Sequence, residues 1–204
     1  EPGKVFSDVT HIIASIPPGE IGEIALLLHS DELRDSTSLT WVNYLSTPAV
    51  YGDRSGGVAS EFDEPTPTSK RGERRLAAER AWIDTFSDTR VSVQIMRIAG
   101  IYGPGRSVIE QVAAGRARII EKEGQVFNRI HVDDIGTSLI ASMLRPNDKR
   151  IYNLADGNPC ASGDVTRYAC KLLQVEPPTP IKFEDAQLSD MARSFYSECK
   201  ILET

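Results

Sequence analysis

Two arginines four residues apart, Arg71 and Arg75, begin a segment in which Ala78, Trp82 and Phe86 follow on the same stripe at 100° per residue. Trp82 and Phe86 need a core to face, so both guanidiniums start on the core side, where a paired fork suits a phosphate or a carboxylate. The alternative is that they only pair with Asp53, Glu61, Asp63 or Glu64 in the preceding loop. Neither arginine can give up its proton near neutrality, since its pKa lies above ~12. Tyr51 and Tyr102 are candidate acids, each with an intrinsic pKa of roughly 10, against the alternative of plain packing. His131 with Asp133 and Asp134 has the composition of a metal cluster, but adjacent carboxylates at a helix start point to different faces, and helix capping accounts for them better. No metal is expected.

These side chains need elements to position them. VTHIIASI from Val9 to Ile16 is a short β-branched apolar run closed by Pro17, Pro18 and Gly19, which reads as a buried strand. A helix is expected over 20–33, and a second buried strand begins at Leu39. A polar loop rich in Gly, Pro and acids runs from Tyr51 to Thr68. The helix expected over 69–86 has Thr68 or Ser69 as its cap, and VSVQIMRIAGIYG from Val91 is a third strand ending in a Gly-Pro-Gly turn. Strand, helix, strand, helix, strand is the alternation of a parallel sheet. Beyond Gly105 the pattern predicts a short helix near 108–114, extended pieces over 117–126, a helix over 132–144 and a strand from Ile151. A last helix over 162–173, capped by Ser162 or Asp164, is followed by the breaker VEPPTP. IYGPG at Ile101 fits a type II turn, with Pro104 second and Gly105 at positive φ.

At 204 residues the chain is one domain, or one with a small appendage, long enough to bury a core. It is 40% hydrophobic and 25% charged, with 15 Gly and 12 Pro, which excludes collagen-like, low-complexity and wholly disordered classes. The net charge of −6 gives no global support for nucleic-acid binding. Cys160, Cys170 and Cys199 lie far apart with no Cys-x-x-Cys spacing, which argues against a zinc cluster or disulfide framework. That usage suits the cytoplasm or another reducing compartment such as an organelle stroma or matrix. The longest apolar run is far too short to span a bilayer, so no membrane insertion is expected.

Four runs, YLSTPAVYGD, RIAGIYGPG, FNRIHVDDIG and IYNLADG, occur in an order and spacing that resembles the NAD-dependent epimerase/dehydratase family, the extended short-chain dehydrogenase/reductases. The closing MARSFYSECK is similar to an atypical branch of it. The resemblance implies an α/β fold with a doubly wound parallel, Rossmann-like sheet, incomplete at the N-terminus, and a small C-terminal α+β lobe. Residues 1–104 would be the remaining Rossmann-like part and 105–204 the substrate lobe, with 132–157 packing back on the sheet. Relatives present a Gly-x-x-Gly-x-x-Gly turn to the cofactor pyrophosphate, which is absent from these residues. The first strand here resembles the family's fourth, so NAD or NADP is expected only if a missing N-terminal half is present. The strand at 9–16 would then be a bare edge that a protein partner should cover.

The resemblance also assigns roles. The family's Tyr and Lys, four residues apart on the long helix, fall at Arg71 and Arg75, so the usual proton relay is missing. Thr47 keeps the Ser/Thr position, four residues before Tyr51; these two are the catalytic candidates. Ser15, Ile16 and Pro17 occupy the turn beside the cofactor's ribose in relatives, and the strand end at Ile98 and Gly100 touches its nicotinamide through main chain. Arg71, Arg75, Asn128, Arg129 and Arg193 are the substrate-binding candidates, Arg193 with Tyr196 closing over a ligand or tying down the tail. Two functions follow: an atypical NAD(P)-binding oxidoreductase acting on an anionic or nucleotide-sugar-like small molecule, or a non-catalytic Rossmann-fold scaffold or subunit of a larger assembly.

Overall fold

The computed structural model describes residues 6–204. In chain order the elements are β1 (His11–Ala14), α1 (Ile24–Arg34), β2 (Trp41–Ser46), a one-turn 3₁₀ helix (Pro48–Tyr51), β3 (Val58–Ala59), α2 (Lys70–Thr85), β4 (Ser92–Ile98) and β5 (Gly100–Tyr102). They continue as α3 (Val108–Ala113), β6 (Ile120–Glu121), β7 (Arg129–His131), α4 (Val132–Leu144), β8 (Ile151–Leu154), α5 (Ser162–Leu173), β9 (Ile181–Lys182), a 3₁₀ turn (Phe183–Asp185), α6 (Asp190–Phe195) and β10 (Ile201–Leu202). Two compact units interleave along the sequence. One comprises residues up to Gly52, Glu61–Ile98 and Asp134–Leu154; the other comprises Asp53–Ser60, Ala99–Asp133 and Ala155–Thr204.

The first unit holds a four-stranded parallel sheet in the order β1-β2-β4-β8. The fold is the α/β, Rossmann-like one. A parallel sheet needs cover on both faces, which is why β2 reads as a nearly continuous apolar run. On one face Leu26 and Leu33 of α1 and Ala78 and Trp82 of α2, with Phe86 at its end, pack on Val42, Tyr44, Val93 and Ile95. Trp82 stacks on Tyr44 at 6.3 Å and on Phe86 at 6.2 Å, as the expected stripe requires. On the other face Trp41 Nε1 donates to Gln94 Oε1 at 2.9 Å, the Ser142 hydroxyl of α4 donates to the same oxygen, and Gln94 Nε2 reaches Asn147 O. Asn43, fully buried one pleat away, has an amide with no hydrogen-bond partner on either end among the described residues. Nothing in the structure explains it. Among the described residues β1 is an edge, paired with β2 alone, and Ile13 and Ile16 are about half exposed (46% and 50%).

The second unit is built from three two-stranded parallel pairs, β10-β3, β5-β7 and β6-β9, with α3 packed on α5. The run from Val91 to Gly103 therefore splits. β4 ends at Ile98, and from Gly100 the chain pairs with β7 instead, Gly100 opposite Arg129 and Tyr102 opposite His131. The Gly103–Arg106 turn forms as expected, with Gly105 at φ +77°. One capping expectation needs correction. The cap residue of α5 is Ala161, which offers no side chain; Ser162 lies inside the helix and its hydroxyl turns to Tyr196, while Asp164 takes Arg167. At the start of α4 the Asp133 N–H donates to the His131 ring nitrogen at 3.2 Å. Ser69 caps α2, one of the two residues expected.

Candidate functional site

The parallel register places Ser46, Arg97 and Asn153 side by side across the C-terminal ends of three strands, on the face that carries the α1–α2 core. Three polar side chains cannot be buried there without partners. Glu79 of α2 supplies one: its carboxylate takes Arg97 through Nη2 at 2.7 Å and Nε at 3.1 Å, and it accepts from the Ser46 hydroxyl. Both ions of this pair are almost completely buried, at 1% and 2% exposure. The guanidinium lies over the Tyr51 ring at 4.6 Å, and the Tyr51 hydroxyl donates to Asn153 Oδ1 at 2.8 Å. Burial works to lower the Arg97 pKa, but Glu79 outweighs it and drives it upward. For Tyr51, burial raises the phenol against the pull of Arg97. Tyr51 is thus a neutral, fully enclosed phenol committed to the framework.

A second phenol sits one turn of register away. Tyr44 accepts from Arg75 Nη1 at 3.2 Å, and the same nitrogen donates to Leu45 O at 2.6 Å. Burial pushes Tyr44 up to about 12 despite the guanidinium beside it. Arg75 is consequently tied to the end of β2, whereas Arg71, in the first turn of α2, is exposed. Between them Gly72 lets the helix touch the 3₁₀ turn: a Cβ there would lie 2.6 Å from Ala49 O. Thr47 caps that turn, accepting from Ala49 N–H at the long distance of 3.4 Å, and its hydroxyl keeps capacity to spare. Of the other residues expected in this unit, Ser15, Ile16 and Pro17 are exposed just beyond β1, and Ile98 is buried.

In the second unit the expected ligand contacts hold the chain itself. Asn128 clamps β10, donating to Lys200 O at 2.8 Å and accepting from Leu202 N–H at 2.9 Å. Arg129 Nη1 is shared among Phe127 O, Cys160 O and Cys160 Sγ, within 3.0–3.2 Å. Arg193 reaches Ala186 O at 3.3 Å and lies over the Phe183 ring. Gly100 N–H donates to Asn128 O at 3.1 Å. Asp53 accepts from Cys199 N–H, a bond that holds its carboxyl below the usual range together with those from Ser55. Sequence reasoning missed the seam of Ser46, Glu79, Arg97 and Asn153. Its signal was an Arg in mid-run in VSVQIMRI, which no solvent-facing position could accommodate. Among the described residues no group of three or more His, Cys, Asp or Glu is placed to hold a metal, and no helix is long and apolar enough to cross a membrane.

No family model matches the sequence. A solved structure of a functionally unknown conserved protein from Silicibacter pomeroyi DSS is 41% identical, with a TM-score of 0.92 over 97% of this chain and 70% of its own. This chain belongs to the family of that conserved protein. Protein YeeZ of Escherichia coli K12 is 31% identical over 136 residues, 66% of this chain. The chain spans 47% of the length of that curated relative. UDP-glucuronic acid 4-epimerase from Bacillus cereus, solved in complex with NAD, has a TM-score of 0.73 at 17% identity over 97% of this chain and 75% of its own. At that identity the likeness is one of fold.

Proposed function

We propose that this chain is part of an atypical NAD(P)-binding, epimerase/dehydratase-like oxidoreductase acting on an anionic or nucleotide-sugar-like small molecule. The observation that carries this reading is the fold: a parallel sheet superposable on that of a NAD-bound epimerase, with Thr47 at the carboxyl end of its second strand, where open α/β sheets bind ligands. Arg71, exposed in the first turn of α2, is the cation proposed to meet an anionic group, Arg75 being tied to Tyr44 and Leu45. NAD or NADP is proposed for a polypeptide that also carries a Gly-x-x-Gly-x-x-Gly turn. The edge of β1, with Ile13 and Ile16 half exposed, is proposed to be covered by further protein.

The second reading, a non-catalytic scaffold or assembly subunit, is favoured by a separate observation. Tyr44 and Tyr51, the phenols packed near the start of α2, are both fully buried, and the resemblance puts Arg71 and Arg75 at the family's Tyr and Lys positions. Calorimetric titration of NAD and of NADP into the protein separates the two readings. Saturable binding of either supports the first, with UDP as an anionic probe that Arg71→Ala weakens. Failure of both dinucleotides to bind in the presence of the glycine-rich turn sinks it and leaves the scaffold.

A further inference from the structure

Helix α5 of the second unit carries apolar side chains on both of its sides. The inner face holds Gly163, Thr166, Ala169 and Cys170, all buried. A surface helix with such an inner face should turn polar residues outward. Instead Tyr168 and Leu172, one turn apart, stand 63% and 53% exposed on the outer face. We infer that this face of α5 is the contact surface for a second copy of the chain, whose own α5 lies antiparallel to it across a two-fold axis at Tyr168.

The order of residues about Tyr168 is what selects a second copy over an unrelated partner. At about 100° per residue, Asp164 and Lys171 lie roughly 40° and 60° to one flank of Tyr168, while Leu172 and Val165 lie roughly 40° and 60° to the other. With a rise of about 1.5 Å per residue, Asp164 stands about 6 Å before Tyr168 and Lys171 about 4.5 Å after it. On the other flank Val165 comes about 4.5 Å before and Leu172 about 6 Å after. A two-fold axis perpendicular to an antiparallel helix pair reverses direction along the helix and keeps each flank on its own side. It therefore sets Asp164 level with Lys171 of the second copy, and Leu172 level with Val165 of that copy, to within about 1.5 Å along the helix. Each contact occurs twice, giving two ion pairs on one flank, two apolar contacts on the other, and Tyr168 against Tyr168 between them. A parallel pair would instead put Asp164 level with Asp164 and Lys171 level with Lys171.

Both charges are available for such a pair. The Lys171 ammonium has no partner among the described residues. Asp164 meets Arg167 through Oδ1 alone, at 3.2 Å, which leaves Oδ2 for a second cation, and Arg167 is itself also held by Glu121. Val165 is half buried, so it adds apolar surface to the flank on which Leu172 stands. Tyr168 suits the centre, since a phenol buries an apolar ring while its hydroxyl stays at the wet rim. One helix pair is small for a specific interface, so the dimer is expected in reversible equilibrium with the single chain.

The test is sedimentation equilibrium of the protein over a concentration series reaching the millimolar range. The wild type is expected to associate, with the particle mass doubling as concentration rises. Leu172→Glu should weaken that association at least tenfold with an unchanged melting curve, whereas Leu28→Glu, at an equally exposed leucine of α1, should leave it as it is. Lys171→Glu should weaken it at least threefold by setting two carboxylates against each other, and adding Asp164→Lys to that variant should restore it to within twofold. A single chain mass at every concentration overturns the assignment. So does association that keeps its strength in Leu172→Glu, or a Lys171→Glu defect that the added Asp164→Lys does not repair. Neither NAD nor NADP enters the readout, so the outcome is independent of whether either binds.

Discussion

Replacing Glu79 by Ala removes the carboxylate paired with a guanidinium that is 99% withdrawn from water, since Arg97 is 1% exposed. Two bonds of 2.7 and 3.1 Å disappear, and Arg97 Nη1 already has no partner. What remains around the charge is the Tyr51 ring at 4.6 Å, too weak a partner to replace a carboxylate. Breaking a buried pair from one side costs about 3–5 kcal/mol, because the surviving charge is left desolvated and uncompensated. At ~2–4 °C per kcal/mol for a chain of this size, the melting temperature should fall by roughly 6–20 °C. Urea unfolding followed by the fluorescence of Trp41 and Trp82, both in the same unit and buried, reads the loss directly. The double replacement Glu79→Met with Arg97→Met should recover most of it, since an apolar pair of similar volume needs no compensation. A single-variant loss under about 1 kcal/mol, or a double variant no better than the single, would refute the account of the seam as a mutually dependent buried pair.

Three further outcomes follow from the same geometry. Tyr44 titrates near 12 in the folded chain and near 10 when unfolded, so the unfolded state loses its proton first as pH rises. Stability is complete below pH 10 and declines from there to 12 by about 1.4 kcal/mol per pH unit, and Tyr44→Phe should flatten that slope in alkaline urea titrations. Asn43→Leu removes a buried amide that has no partner and should raise stability by about 1–3 kcal/mol; a loss of more than 1 in thermal melts would show that the amide does bind something, such as an internal water. Asn128→Ala cuts both clamps on β10 and should cost about 1–3 kcal/mol, with faster hydrogen exchange at the Leu202 amide as its local signature.

The parallel sheet was legible because buried parallel strands leave an unmistakable apolar run, and the α2 stripe because Trp82 and Phe86 share a face with Arg75. What sequence could not show is where backbone and side-chain hydrogen bonds go. Gly100 begins a new strand because its register partner is Arg129, far along the chain, and no local propensity marks that switch. The pair β10-β3 is two residues long and is held by Asn128 from a third segment, so its signal is entirely tertiary. The site residues divide on the same principle. Spacing put Arg71 and Arg75 on one stripe, but only the positions of Tyr44 and Leu45 O determine that Arg75 is anchored. The short 3₁₀ turn and Gly72 explain why Thr47 and α2 come so near each other: without a Cβ, the helix backbone approaches Ala49 O directly.

That proximity narrows the question of catalysis to one hydroxyl. Tyr51 and Tyr44 are neutral and enclosed, and an arginine does not exchange protons near neutrality, so neither these phenols nor Arg71 and Arg75 can act as an acid or base. Thr47 differs from them. Its oxygen accepts one bond at 3.4 Å, longer than a good N–H···O contact, and its own proton is available to a bound oxygen. Thr47→Val keeps the volume and β-branching and removes only that hydroxyl, so the weak cap it loses should cost less than about 1 kcal/mol. Turnover and stability are therefore separable here, as they are not for Tyr51. If the chain belongs to a working oxidoreductase, Thr47→Val should lower kcat at least tenfold on whatever substrate is turned over, with an unchanged melting curve. Full activity in a normally folded variant would exclude the Thr47 hydroxyl from the chemistry and refute this reading of the site.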